Sequence, residues 1–184
     1  YTLSLHDALP IMAKIIGFVN QKGGVGKTTS TINVARYLAE LGKRVLLVDL
    51  DPQGNASSGL GINARAMNKN LYHAMVGGLP PQEIILQTET ENFHVIPAAQ
   101  DLAGAEIEMV HLEGREYRLQ NVLRQIKPYY DYILIDSPPS LGLLTINGLV
   151  ASDEVVIPVQ TEYYALEGLS QLLGTIELVR ERLQ

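Results

Sequence analysis

The sequence contains no cysteine. That single absence excludes disulfides, thiolate metal sites, iron–sulfur clusters and cysteine nucleophiles, and it fits a reducing compartment. Long apolar runs are missing as well. Hydrophobic residues make up 46% of the chain, yet no stretch approaches the roughly 18 uninterrupted apolar residues that a helix needs to cross a bilayer. Positive charge is not in excess: fourteen Lys and Arg face twenty Asp and Glu, a formal charge of −6. This stretch therefore carries no electrostatic footprint for nucleic acid. Sixteen Gly and nine Pro are ordinary numbers for 184 residues, so neither a collagen-like repeat nor a disordered tail is expected. The length predicts one globular domain with a sizeable core.

Residues 1–11 (YTLSLHDALPI) place no Lys or Arg before their short apolar run and carry Asp7 inside it, so they fail as a secretory signal. Met12 opens a strand-like run, MAKIIGFVN. The expected organisation is a non-native leader over residues 1–11 and one domain over 12–184. Residues 170–184 read as an amphipathic helix with no C-cap glycine or closing strand after it, so this domain is expected to lack its C-terminal part.

Residues 14–20 (KIIGFVN) form a short apolar run between polar residues, the pattern of a central parallel strand buried on both faces. Residues 28–41 space Ile32, Ala35 and Ala39, with Val34, Leu38 and Leu41, at helical intervals, and stop at Gly42 followed by Lys43 and Arg44. Further strands are expected over 45–49, 93–97, 132–136 and 154–159, and helices over 71–75, 102–127 and 143–151. Residues 55–92, with Gly59, Gly61, Gly77, Gly78 and Pro80-Pro81, read as loops and short helices on the rim. Strands of four to six residues alternating with helices imply right-handed βαβ units. The predicted fold is an open, mostly parallel, twisted α/β sheet with helices on both faces.

The segment Gln21-Lys22-Gly23-Gly24-Val25-Gly26-Lys27-Thr28-Thr29 falls where the first strand turns into a helix. Glycines 23, 24 and 26 let successive N–H groups converge on phosphate oxygens, and the positive end of the helix dipole adds to the same spot. In such a phosphate loop Lys27 reaches the β and γ phosphates, the Thr28 hydroxyl holds Mg²⁺, and Thr29 adds a hydroxyl near the α phosphate. The strict pattern needs Gly where this chain has Gln21, and Lys22 stands directly before the glycines.

Acidic residues follow at two strand ends. Alternation along 45–51 sends Asp49 and Asp51 the same way, toward the carboxyl edge where open α/β sheets keep their ligands. There they can meet metal and water, while the other reading of Asp49 is the capping of a helix or the satisfying of loop amides. Asp136 ends the apolar run 132–135 and precedes Ser137-Pro138-Pro139. His73, His94 and His111 show no ligand spacing such as H-E-x-x-H. The alternating charges over 106–127 read as a solvated helix face.

The K-G-G-x-G-K-T loop, the DxDPQGN segment at 49–55 and Asp136, in that order, resemble the deviant P-loop ATPases of the ParA/MinD family, and within it the ParA/Soj-type partitioning ATPases. The resemblance implies ATP and Mg²⁺ as cofactors and roles for named residues: Lys22 reaching across a dimer to the partner's phosphates, Lys27 on the triphosphate, Asp51 polarising the attacking water, Asp49 supporting the metal shell and Asp136 as the Walker B acid. Residues 160–166 (QTEYYAL) are also like the family, at an ATP-dependent dimer face, with aromatic packing as the other reading of Tyr163 and Tyr164. It implies a homodimer on ATP binding, stimulation by a ParB-type centromere-binding protein, and non-specific DNA binding through the part beyond Gln184. A cytoplasmic, nucleoid-associated location without stable membrane insertion goes with it. The alternatives are a MinD-like spatial regulator and a non-hydrolysing nucleotide-dependent regulator; the DPQGN string favours partitioning. Nitrogenase-reductase relatives need cluster cysteines, which this chain lacks.

Overall fold

The computed structural model describes residues 13–160 and 165–183. The expected leader 1–11, the start at Met12 and residues 161–164, with Tyr163 and Tyr164, lie outside the described residues. Strands β1 (Lys14–Phe18), β2 (Val45–Asp49), β3 (Leu86–Gln87), β4 (Phe93–Ile96), β5 (Tyr132–Asp136) and β6 (Glu154–Val156) form one sheet in the order β3-β4-β2-β5-β1-β6. All pairings are parallel except β3 with β4. The open, mostly parallel sheet expected from the sequence is the fold observed.

The helices are α1 (Lys27–Glu40), α2 (Asn55–Gly59), α3 (Leu71–Met75), α4 (Leu102–Met109), α5 (Arg118–Arg124), α6 (Leu143–Ala151) and α7 (Ala165–Arg182). Alternation along the strands divides the apolar residues between two layers. Val45 and Leu47 of β2 join Phe93, Val95 and Leu134 beneath Ala35 and Ala39 of α1. Leu46 and Val48 join Ile133, Ile135 and Ile96 beneath side chains of α3, α4, α5 and α6. All five residues of β2 are buried, as a central strand covered on both faces requires. A third cluster sets Val19 and α6 against Leu172 and Val179 of α7.

Four elements differ from the sequence reading. The helix expected over 102–127 is broken into α4, which ends at Met109, a 3₁₀ turn at Arg115–Tyr117 and α5; between them Gly114 takes a left-handed φ of 65°, which a continuous helix does not accommodate. The rim contains a strand, β3, too short to show periodicity. β6 stops at Val156, two residues before Pro158, which has no N–H to give a ladder. On α1 the buried stripe is Lys27, Thr31, Ala35 and Ala39, an i, i+4 row, whereas Val34 and Leu41 of the expected stripe are 41% and 61% exposed.

Asn147 shows how a polar residue is kept inside α6. Its Oδ1 accepts the N–H of Leu119 (3.0 Å) at the start of α5, and its Nδ2 donates to the carbonyls of Arg115 (2.9 Å) and Leu143 (2.9 Å). A buried amide with every group matched locks the two helices together. Energetically the sheet core dominates. Leu47→Ala removes a side chain with no exposure and is expected to cost about 2–5 kcal/mol of stability. Tyr37→Ala, at a side chain 64% exposed, should stay within about 0.5 kcal/mol. Urea denaturation of the two variants of the full-length protein checks both.

Candidate functional site

β5 lies between β1 and β2, and the register sets Asp136 opposite Phe18 on one side and Asp49 on the other. Three strand ends therefore meet at one edge. From Phe18 the chain turns through residues 19–26 into α1. Gly24 and Gly26 hold φ of 75° and 81°, a region closed to residues with a Cβ except under strain. A Cβ built at Gly23, Gly24 or Gly26 meets nothing within 4 Å, so the glycines leave open space above the loop rather than tight packing against it. The turn is strapped from outside. Asn20 accepts the Lys22 N–H (2.9 Å) and donates to the Pro158 carbonyl (2.6 Å), and Gln160 donates to the Gly24 carbonyl (3.2 Å).

Lys27 is only 7% exposed. Its Nζ lies 3.3 Å from Asp136 Oδ1 and also donates to the Ser137 carbonyl. The Thr28 hydroxyl donates to Asp136 Oδ2 (2.6 Å), and Thr31, one turn on from Lys27, donates to the Lys27 carbonyl at 2.9 Å and approaches Asp136 Oδ1 at 3.4 Å. Asp136 has no exposure. Burial raises its carboxyl above the usual range, against the pull of the Lys27 ammonium and the Thr28 hydroxyl.

A cavity of about 600 Å³ opens over this edge, with the loop residues Lys22 to Thr29 on one side and Asp51, Gln53 and Asn55 on the other. Lys22 is exposed at its mouth. A larger hollow of about 910 Å³ shares Gln53 and Asn55 with it. Asp51 sits just past the end of β2, its Oδ1 accepting the Gln53 N–H at 2.9 Å.

Asp49 ends β2 and, unlike Asp51, does not line the cavity. It has no exposure. Its Oδ1 accepts the Asp51 N–H (3.2 Å), and its Oδ2 accepts both the N–H (2.8 Å) and the hydroxyl (2.7 Å) of Ser57. Of the two readings left open, this arrangement displays the satisfying of loop amides. Burial pushes the Asp49 carboxyl up to about 7, against the Ser57 donors that hold it down.

The site thus brings together Lys27, Thr28, Asp136 and Asp51, with Gly23, Gly24, Val25, Gly26 and Thr29 on the same turn, and places Asp49 behind them. Sequence reasoning missed Thr31, Ser57 and Glu106. Thr31 was within reach, since i+4 from Lys27 shares its face. Ser57 has no spacing signal. Glu106, read as part of a solvated face, instead accepts the Leu144 N–H (3.2 Å) at the start of α6, and the absence of a side chain on Gly142 makes room for it. Among the described residues no group of three or more His, Asp or Glu gathers to hold a metal ion.

Comparison with known proteins gives concordant results. A family model described as an AAA domain matches residues 13–184. The sporulation initiation inhibitor protein Soj of Bacillus subtilis is 60% identical over 172 residues, covering 94% of this chain and 68% of its own. The chromosome partitioning protein ParA of Myxococcus xanthus is 55% identical, covering 94% of this chain and 61% of its own. The chain therefore spans about two thirds of the length of these relatives. Among solved structures, a cobyrinic acid a,c-diamide synthase from Mycobacterium smegmatis with bound ADP and magnesium superposes with a TM-score of 0.91 at 39% identity, covering 94% of this chain and 70% of that one. A putative plasmid partition protein from Borrelia burgdorferi bound to AMPPNP gives 0.83 at 31% identity, covering 91% and 70%.

The raised Asp49 carboxyl carries a pH signature. Between its ordinary value and about 7 the unfolded chain has already lost the proton that the folded chain keeps, so this group's contribution to stability falls as pH rises through that window. The melting temperature of the nucleotide-free wild type relative to Asp49→Asn should therefore fall between about pH 5 and about pH 8. Parallel melting curves across that range would show that Asp49 does not titrate there.

Proposed function

Because the chain belongs to the Soj/ParA family of partitioning ATPases, we propose that the whole protein binds Mg-ATP at the 22–29 turn, dimerises on it, and hydrolyses it to ADP and phosphate to partition a chromosome or plasmid. The observation that carries this reading is the buried Lys27 ammonium held on Asp136 beside an open, glycine-lined cavity. A cation placed there, with loop N–H groups and a helix start converging, is complementary to a polyphosphate. The residues fit the metal too: Thr28 and Asp136 offer a hydroxyl and a carboxylate within one hydrogen bond of each other, the oxygen donors that a magnesium ion carried on phosphates takes up. Bound there, the ion would neutralise charge on the β and γ phosphates.

The chain's own groups then divide the work. Gly23, Gly24, Val25 and Gly26 present backbone N–H groups, and Thr29 a hydroxyl, to the phosphates. Lys27 neutralises developing charge on the γ-phosphoryl group as it leaves the β-phosphate oxygen. Asp51, at the cavity wall, orients a water for in-line attack. Asp49, its two oxygens held by the Asp51 N–H and by Ser57, braces the turn behind Asp51 rather than entering the metal shell. Phosphoryl transfer to water needs positioning and charge stabilisation rather than a covalent intermediate, and this constellation supplies both. Lys22, exposed at the mouth, reaches the phosphates of a second copy, so that nucleotide holds the dimer and hydrolysis releases it.

A ParB-type protein and non-specific DNA as stimulators, and a cytoplasmic place on the nucleoid, follow from the family and belong to the whole protein; among the described residues no helix is long and apolar enough to cross a membrane. Identity to the Soj and ParA proteins exceeds that to the diamide synthase structures, which favours partitioning over their named activity.

In the full-length protein, Lys27→Ala should lower phosphate release by about a hundredfold or more, measured with DNA and a ParB-type protein present. Lys22→Ala should stay monomeric with ATP in light scattering, and Asp51→Ala should remain a dimer with ATP unhydrolysed. Hydrolysis by Asp51→Ala at the wild-type rate would remove that residue from its assigned role.

A further inference from the structure

The Asp51 carboxylate is carried by a turn, residues 51–54, rather than by a strand, and such a turn needs outside support to hold a side chain in one direction. Gly54 closes it with φ of 64°, and a side chain there would meet the Ala98 carbonyl at 2.9 Å. The turn is therefore pressed against the exit of β4. Within it, the Gly54 N–H donates to the Asp51 carbonyl (2.8 Å) and the Gln53 N–H to the Asp51 carboxylate (2.9 Å).

The two ends of this segment are tied to one buried acid. Asp49 accepts from the Asp51 backbone on one oxygen, and from the Ser57 N–H and hydroxyl on the other. The Ser57 hydroxyl in turn accepts the Ala98 N–H at 3.3 Å, so its donor and an acceptor position are both used. Ser57 has no exposure to solvent and lines neither the cavity nor the mouth of the site. Nothing in the proposed chemistry uses it directly, yet it joins the end of β2, the start of α2 and the exit of β4.

We propose that Ser57 is a positioning residue for the hydrolytic carboxylate: through its hydrogen bonds to Asp49 and Ala98 it fixes the 51–54 turn and so aims Asp51 into the cavity. This inference rests on the reading of the site as an ATPase with Asp51 on the attacking water. Removing the hydroxyl takes a donor from Asp49 and leaves the Ala98 N–H unmatched. The turn then loses its hydrogen-bonded tie to the exit of β4, leaving the packing of Gly54 on Ala98, while the hydrogen bonds of the 22–29 loop, Lys27 and Asp136 do not involve Ser57. The loss should fall on turnover and not on nucleotide binding, because a displacement of an orienting group by even about an ångström can slow a reaction by up to a hundredfold.

The test uses the full-length protein and its Ser57→Ala and Ser57→Thr variants. Ser57→Ala should lower kcat about tenfold with KM for ATP within about twofold. Without nucleotide, its peptide covering residues 50–58 should exchange amide hydrogen faster than wild type. Ser57→Thr keeps the hydroxyl and should restore both rate and protection. Wild-type kcat in Ser57→Ala, a matching fall in affinity, loss of its cooperative melting, or failure of the threonine variant to rescue would each overturn the inference. A wild type that hydrolyses ATP and an Asp51→Ala variant that does not would leave the ATPase reading standing in those cases. A wild type with no turnover would overturn that reading and this one with it.

Discussion

The Lys27–Asp136 pair is the contact on which the arrangement of the site depends. Both groups are almost wholly removed from water, and an ion pair in that position repays its desolvation only if geometry is good and the remaining donors and acceptors are matched. They are matched here. The ammonium has a second acceptor in the Ser137 carbonyl, and the carboxylate has the Thr28 hydroxyl as a second donor. Breaking such a pair by removing one partner typically costs about 3–5 kcal/mol, because a charge stays behind unpaired. The pair also joins the start of α1 to the end of β5, elements more than a hundred residues apart in the chain. The phosphate-loop turn is thereby fixed to the sheet at the point where its helix begins.

Sheet order makes that pairing possible. With β5 between β1 and β2, Asp136 is the neighbour of both Phe18 and Asp49, so two carboxylates stand side by side at one edge. Like charges so placed disfavour joint ionisation. The structure separates their surroundings: Asp136 receives a cation, whereas Asp49 receives only neutral donors from Ser57 and the Asp51 backbone. Residue type is the same in both places. Environment sets them apart: Asp136 is paired with a cation, and Asp49 braces the turn behind it.

Much of this was legible in the sequence, and the remainder was hidden for identifiable reasons. The order of strands and helices follows from short apolar runs with period two or continuous burial, and the loop follows from glycines 23, 24 and 26, which allow backbone conformations that a Cβ forbids. Gly24 and Gly26 meet that expectation. Spacing fails where tertiary contact decides. Gly114 breaks a helix whose charge pattern continues through it, Glu106 leaves an apparently solvated row to cap α6, and Val34 is exposed despite standing at a helical interval. Asp51 reaches the cavity and Asp49 stays behind it, a difference in depth that spacing along a strand does not record. Ser57, eight residues beyond Asp49, could be found only once the turn between them was folded.

These departures share a cause. A phosphate loop is a local device: consecutive residues, one turn and one helix start define it, so a linear pattern records it. The water-orienting half of the proposed site is not local. Asp51 depends on Asp49, Asp49 on Ser57, and Ser57 on the Ala98 amide at the end of another strand. A sequence motif can name Asp51, but its aim is a property of three elements packed together. The two halves of the proposed site thus rest on structurally different supports, one contained within β1 and α1 and closed by Asp136, the other spread over β2, α2 and the exit of β4. The two supports meet where Asp49 and Asp136 stand in register across β2 and β5.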